Sequence, residues 1–287
     1  MMTQIAASVT PGNPTPDPTL SPTLEAIITP GSASNGYATV PYVVVDTINS
    51  GALSGITFHP GRKTLFAVSD EGHILEMETG GTILHQERVR KGADFEGIAF
   101  NPVTGLLYVA IEGDEVILEV KPDTLEVIRD IPIDRVFDES VLLDPKGNGV
   151  EGITFVPARN AANGGVMGGT FYLVNQGKEL GDEDPPIVFE VDIIDSENGP
   201  QAKIVRYFDI GSPDLSGIHY EPSWDQLIVI SDSDDLAIEV TLDGELVNAY
   251  PLPGKDQEGI TIDRDGFLYI AQDSSRGLLK FSPSVSE

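Results

Sequence analysis

Asp94-Phe95-Glu96-Gly97-Ile98-Ala99-Phe100 is one copy of a phrase that recurs along the chain. Gly149-Val150-Glu151-Gly152-Ile153-Thr154-Phe155 and Asp256-Gln257-Glu258-Gly259-Ile260-Thr261-Ile262 repeat it. Leu53-Ser54-Gly55-Ile56-Thr57-Phe58 and Leu215-Ser216-Gly217-Ile218-His219-Tyr220 carry serine in place of the glutamate. The five key positions (54, 96, 151, 216 and 258) lie 42, 55, 65 and 42 residues apart. A repeat of this period marks a propeller or a similar array.

The residues downstream of each copy agree. A turn comes first, such as Asn101-Pro102-Val103-Thr104-Gly105 or Glu221-Pro222-Ser223-Trp224-Asp225, then a β-branched and aromatic run such as Leu107-Tyr108-Val109-Ala110. A third run comes next, such as Val116-Ile117-Leu118-Glu119-Val120. Short apolar runs bounded by Gly, Pro, Asn and Asp are the all-β pattern. Fourth strands are expected at 83–89, 127–133, 204–208 and 246–252. The fifth unit ends at Phe281 without one, while Tyr42-Val43-Val44-Val45-Asp46 precedes the first unit without a partner. The expectation is therefore a five-bladed β-propeller of four-stranded blades, closed by the N-terminal strand, which removes the free sheet edges of an open array.

The ring takes residues 41–283 as one domain, followed by a tail at 284–287. Residues 1–40 differ in kind: Pro11-Gly12-Asn13-Pro14-Thr15-Pro16-Asp17-Pro18 has the composition of a linker, with a short strand expected only at Ala26–Ile28. Met1-Met2-Thr3-Gln4 has no basic or apolar region of signal-peptide type, so either an export signal is absent or the segment is cut from a longer chain. Pro/Thr-rich stretches often tether surface domains. The chain holds 46 acidic and 17 basic residues, a net charge of −29. Such a surface repels nucleic acid and anionic membranes, and attracts divalent cations or basic partners. Solubility or adaptation to salt explains the charge equally well. No apolar run has the length of a membrane span, so no membrane insertion is expected. The absence of cysteine excludes thiolate metal sites and disulfides.

The key positions begin the innermost strands and should face one mouth of the ring. Glu96, Glu151 and Glu258 are carboxylates; Ser54 and Ser216 are hydroxyls. The second strands return to the same mouth at Asp70, Glu112, Gln176, Asp232 and Asp273, and Asp94, Asp214 and Asp256 precede the first strands. Carboxylates crowded in a narrow channel raise one another's pKa unless a cation compensates. An all-oxygen donor set suits calcium. The alternative is that Glu and Gly serve blade geometry and line a wet channel. Asp263-Arg264-Asp265-Gly266 and Asp232-Ser233-Asp234-Asp235 resemble fragments of calcium loops, but lack the full spacing and read as turns. The four histidines show no metal spacing, and no nucleophile elbow surrounds any serine.

The order Ser, Glu, Glu, Ser, Glu in these motifs, with Asp265-Gly266-Phe267-Leu268-Tyr269-Ile270 and Lys280-Phe281-Ser282-Pro283 at the end, resembles the SdiA-regulated family of bacterial propellers. That resemblance implies a five-bladed fold distantly like NHL-repeat proteins, a calcium site in the channel region at Glu96, Glu151 and Glu258, and an exported or envelope-associated location. It supplies no activity. Two functions remain open. One is a calcium-binding module, extracytoplasmic, that takes an unknown protein or small-molecule ligand at the acidic mouth, with 134–148 and 175–186 as its walls. The other is a calcium-dependent hydrolase, lactonase- or phosphoesterase-like. It would need a general base, and for phosphoesters cationic groups, which are sparse near this mouth.

Overall fold

The structure is a computed structural model that describes residues 42–48, 51–143, 149–158, 167–177, 185–197, 199–273 and 277–283. The expected arm at 1–40, the Ala26–Ile28 strand, the tail at 284–287, and 144–148 and 178–184 of the expected walls lie outside these residues. The strands run β1 (Tyr42–Ile48), then blade one with β2 (Gly55–His59), β3 (Thr64–Ser69), β4 (His73–Glu78) and β5 (Ile83–Arg88). Blade two is β6 (Asp94–Asn101), β7 (Leu106–Glu112), β8 (Val116–Val120) and β9 (Val127–Pro132). A small hairpin, β10 (Val136–Phe137) and β11 (Ser140–Val141), precedes blade three: β12 (Val150–Pro157), β13 (Gly169–Asn175), β14 (Val188–Ser196) and β15 (Gly199–Phe208). Blade four is β16 (Leu215–Glu221), β17 (Gln226–Ser231), β18 (Leu236–Thr241) and β19 (Leu246–Pro251). Blade five is β20 (Gln257–Ile262), β21 (Leu268–Gln272), β22 (Gly277–Pro283) and, from the other end of the chain, β1. β1 lies antiparallel to β22, Tyr42 opposite Pro283 and Ile48 opposite Leu278, and this pairing closes the ring.

Each blade is a sheet packed between two neighbours, so its inner strands bury both faces. That is why Leu65-Phe66-Ala67-Val68 and Leu107-Tyr108-Val109-Ala110 are continuous apolar runs. The core is accordingly divided into five clusters, one at each junction between blades. At the junction of blades two and three, Tyr108 and Phe155 both pack on Phe171, with ring centroids 4.7 and 5.0 Å away. The outermost strands alternate or stay exposed, as in Ile83–Arg88.

The glycine of the repeated phrase has a steric cause. A methyl group on Gly55 would lie 2.4 Å from the Glu96 carbonyl oxygen, and one on Gly97 would lie 2.5 Å from that of Glu151. On Gly152 it would meet the Ile218 nitrogen at 2.9 Å, on Gly217 the Glu258 oxygen at 2.6 Å, and on Gly259 the Gly55 Cα at 2.9 Å. The five contacts form a closed cycle. Five blades converge so tightly on the axis that adjacent inner strands touch backbone to backbone, and only glycine fits.

On the opposite face from the key residues, basic side chains tie blade to blade. Arg62 holds Glu76 of its own blade at 2.7 Å and Asp123 of blade two at 2.6 Å. Arg129 joins Glu119 to Asp195 of blade three, and Arg206 joins Glu190 to Asp243 of blade four. Across the closing seam, Lys280 donates to the Thr79 carbonyl at 3.4 Å and sits 4.5 Å from the Phe267 ring. Among the described residues, the junction of blades four and five has no such basic tie.

Candidate metal centre

Four of the five key residues sit on β-bulges, while Ser54 lies just before β2, which pairs with β3 without a register shift. The register of β6 against β7 jumps from Phe95 to Gly97, leaving Glu96 out of the pairing. The same jump isolates Glu151 with Gly152, Ser216, and Glu258. A bulge bends the strand and re-aims a side chain, here at the mouth end of these four inner strands. The glycine cycle then sets the residues side by side around the axis in the order Ser54, Glu96, Glu151, Ser216, Glu258.

The carboxylate oxygens of Asp94, Glu96 and Glu112 lie within 4.8 Å of one another. All three belong to blade two, on paired strands with Asp94 opposite Glu112. Burial pushes the Glu96 carboxyl up to about 9, helped by a hydrogen bond with Asp94 and by the charges of Asp94, Glu258 and Glu112. Glu151 is buried, and its carboxyl is raised well above the ordinary range by burial, then by Glu96, Glu112, Glu258 and Asp94. Glu258 is raised to about 8 by burial, then by Asp232, Asp273, Asp214 and Asp256. The tight group is thus Asp94 with Glu96 and Glu112, and Glu151 and Glu258 act on it through charge.

The remaining expected residues occupy the rim. Asp70 is exposed and raised by burial of its inner part, then by Asp273, Asp94 and Glu71. Asp232 is raised by burial, opposed by the Gln257 backbone N–H, and raised further by Asp214, Asp256 and Asp235. Asp273 is exposed, its N–H donating to the Asp256 carbonyl at 3.1 Å. Gln176 is half-buried, its N–H 3.4 Å from the Gly149 carbonyl. Ser54 is buried, and Ser216 donates its Oγ hydrogen to the Gln257 carbonyl at 2.6 Å, tying blade four to blade five. Of the two calcium-loop fragments, Asp263 serves the turn: its Oδ1 accepts from the N–H groups of Asp265 and Phe267, and its Oδ2 from the Tyr269 hydroxyl.

Two residues of the mouth carried no signal in the repeat. Glu115, in the turn after β7, is buried and raised by burial, while Arg135 from the insertion before blade three pulls against that rise through a direct ion pair. Arg135 also donates to the Gly113 carbonyl at 3.2 Å, and its Nη1 has no partner. The Gly149 N–H donates to Glu112 Oε1 at 3.1 Å, and a methyl group there would lie 2.8 Å from Glu115 Oε1. Arg135 and Gly149 therefore hold the rim of blade two beside the acidic group.

The donor set fits a hard cation: oxygens only, converging, with negative charge that no basic side chain offsets at Asp94, Glu96 or Glu112 among the described residues. No helix of the described residues is long and apolar enough to cross a membrane. The chain has no match among curated proteins. The fold is similar to a glutaminyl cyclase from Myxococcus xanthus, with a TM-score of 0.56 and 13% identity over 86% of this chain and 97% of that one. It is also similar to the β-propeller domain of Cps50 (Swd1) from Myceliophteria thermophila, with a TM-score of 0.50 and 9% identity over 85% of this chain and 100% of that one. At such identities the likeness is one of fold alone. A family model described as SdiA-regulated matches residues 33–276, and the chain belongs to that family.

Proposed function

We propose that the acidic mouth binds a divalent cation, calcium, and that the propeller serves as an extracytoplasmic module for a protein or small-molecule ligand. The carrying observation is the convergence of Asp94, Glu96 and Glu112 within 4.8 Å. Half-buried carboxylates that close repel one another unless protons or a cation intervene. Calcium accepts six to eight oxygens in irregular geometry, which suits carboxylates drawn from bulged strands. Glu151 and Glu258 would complete the charge balance around it. Its binding would stabilise the closed ring by mass action, about 2.7 kcal/mol at a hundredfold excess over its dissociation constant. The Pro/Thr-rich composition of residues 1–40 supports a tethered domain, and the acidic surface disfavours nucleic acid as the partner.

The test is metal analysis of purified protein and calorimetric titration with calcium, on wild type and Glu96→Gln. Binding in the wild type and its loss in the variant support the reading. Neither bound metal nor heat of binding would leave the Glu-Gly phrase a structural repeat. A hydrolase reading has one supporting observation, the Arg135 guanidinium beside the acidic group. Turnover of lactones, esters or phosphoesters that requires calcium and is abolished by Glu151→Gln would establish it instead.

A further inference from the structure

Blade five departs from the other four at one buried point. The residue before each key position is apolar and buried in blades one to four: Leu53, Phe95, Val150 and Leu215. In blade five it is Gln257, fully buried, and its partner across the sheet is Gln272, also fully buried. Both amide nitrogens are satisfied. Gln257 Nε2 donates to Asp235 Oδ1 at 3.2 Å, and Gln272 Nε2 donates to the Lys255 carbonyl at 2.9 Å. Among the described residues, neither side-chain oxygen has a partner. Directly opposed residues on paired strands put their side chains next to each other, so the two unsatisfied acceptors belong to neighbouring buried side chains. Leaving such groups unpaired costs more than the apolar side chains the other blades use.

The same place is short of positive charge. The Gln257 N–H donates to Asp232 Oδ1 at 2.8 Å and its amide to Asp235, so its side chain lies among these carboxylates. Asp256 precedes it in the chain, and Asp214 passes its carbonyl to the Asp232 N–H at 3.0 Å. Among the described residues none of these four acids has a basic partner. On the opposite face, among the described residues, this junction also lacks the Arg or Lys tie found at the others. Lone acceptors call for a donor or a cation, and unbalanced carboxylates beside them select the cation.

We propose a second, oxygen-only site for a hard metal cation at the junction of blades four and five, centred on the side-chain oxygens of Gln257 and Gln272 with Asp232 and Asp235. The ion would join blade four to blade five at the mouth, whereas the basic ties of the other junctions lie on the opposite face. The site shares no residue with Asp94, Glu96 and Glu112, so it stands or falls independently of the calcium reading above.

The experiment counts cations per chain by equilibrium dialysis and elemental analysis, once with calcium in sodium-free buffer and once with sodium alone. It compares wild type, Gln257→Leu, and the double variant Glu96→Gln/Glu112→Gln. Gln257→Leu restores the residue type of blades one and four and should fold. The expected result is one cation fewer in Gln257→Leu than in wild type, and one cation retained in the double variant. The buffer in which the difference appears identifies the ion as calcium or sodium. Equal counts in wild type and Gln257→Leu would overturn the proposal and leave an internal water as the occupant. Loss of every cation in the double variant would overturn it too. If Gln257→Leu does not fold, the double variant decides alone: no cation bound refutes the second site.

Discussion

Replacing Glu258 by Gln should remove a pH dependence that the wild-type ring carries whenever it lacks a cation. Glu258 holds its proton up to about 8 in the folded chain, against an ordinary value of 4.5. Between those values the folded state binds more protons than the unfolded state, so stability falls as pH rises. From below 4.5 to pH 7 that interval is 2.5 units, which at ~1.4 kcal/mol per unit gives a loss of about 3 kcal/mol from Glu258. Glu96, raised to about 9, acts with the same sign. His59 acts oppositely: burial lowers its imidazole, so it adds stability as pH rises toward 6.5 and adds no further slope above that. Glu221, lowered to about 2, gains its full effect above pH 4.5 and does not enter the window. The assay is urea or thermal unfolding from pH 5 to 8, in EDTA and in excess calcium. In EDTA the wild type should lose midpoint steadily, and Glu258→Gln should lose about 3 kcal/mol less by pH 7, roughly 10 °C for a domain of this size. In calcium the wild-type slope should reverse, because the ion competes with protons for the same oxygens. A wild-type stability in EDTA that is flat or rising from pH 6.5 to 8 would refute the reasoning, as would a slope that Glu258→Gln leaves intact.

Gly97→Ala places a methyl 2.5 Å from the Glu151 carbonyl, against backbone that cannot yield, and should cost about 3 kcal/mol in chemical denaturation, while Gly80→Ala, with open space around it, should be near neutral. Arg62→Met leaves the buried Glu76 with the Thr64 hydroxyl alone and frees Asp123 of the next blade, and should lower stability by about 2–3 kcal/mol near neutral pH and by less below pH 4. Deleting residues 1–49 exposes the β22 edge along its whole length and should yield aggregation or loss of the cooperative transition, as read by light scattering and circular dichroism.

The fold was legible because two constraints act on single residues. Backbone contact at the axis admits only glycine at 55, 97, 152, 217 and 259, and burial of both faces makes the inner strands plainly apolar. The orphan strand at each end then leaves ring closure as the consistent solution. Blade three was less legible. Its third strand runs to Ser196 and its fourth starts at Gly199, well ahead of the expected 204–208. The sequence Asp192-Ile193-Ile194-Asp195-Ser196 ends in residues that favour turns. What extends the hairpin is tertiary: Ala202 is bridged in parallel to Ile133 of the preceding blade, and Asp195 reaches Arg129. The neighbour supplies those partners, so the local pattern cannot announce them.

The mouth shows the same division. Its membership could be read from the ring, since every inner strand starts there. Which acids meet depends on bulge phase and on side-chain reach, neither of which is written in the repeat. The phrase gives each blade one key residue and implies a five-fold site, yet the acids divide unevenly. Glu96 and Glu151 sit on adjacent blades beside Asp94 and Glu112, while Glu258 has a serine on either side in the ring. Ser216 is committed to the Gln257 carbonyl, and Ser54 is buried. A glutamate at either position would add a fourth desolvated carboxylate next to those already raised. The serines thus cap the number of desolvated carboxylates at three, and those three still act on one another, since the Glu258 charge helps raise both Glu96 and Glu151. The irregular order Ser, Glu, Glu, Ser, Glu is what places two of those glutamates on adjacent blades and the third between the serines.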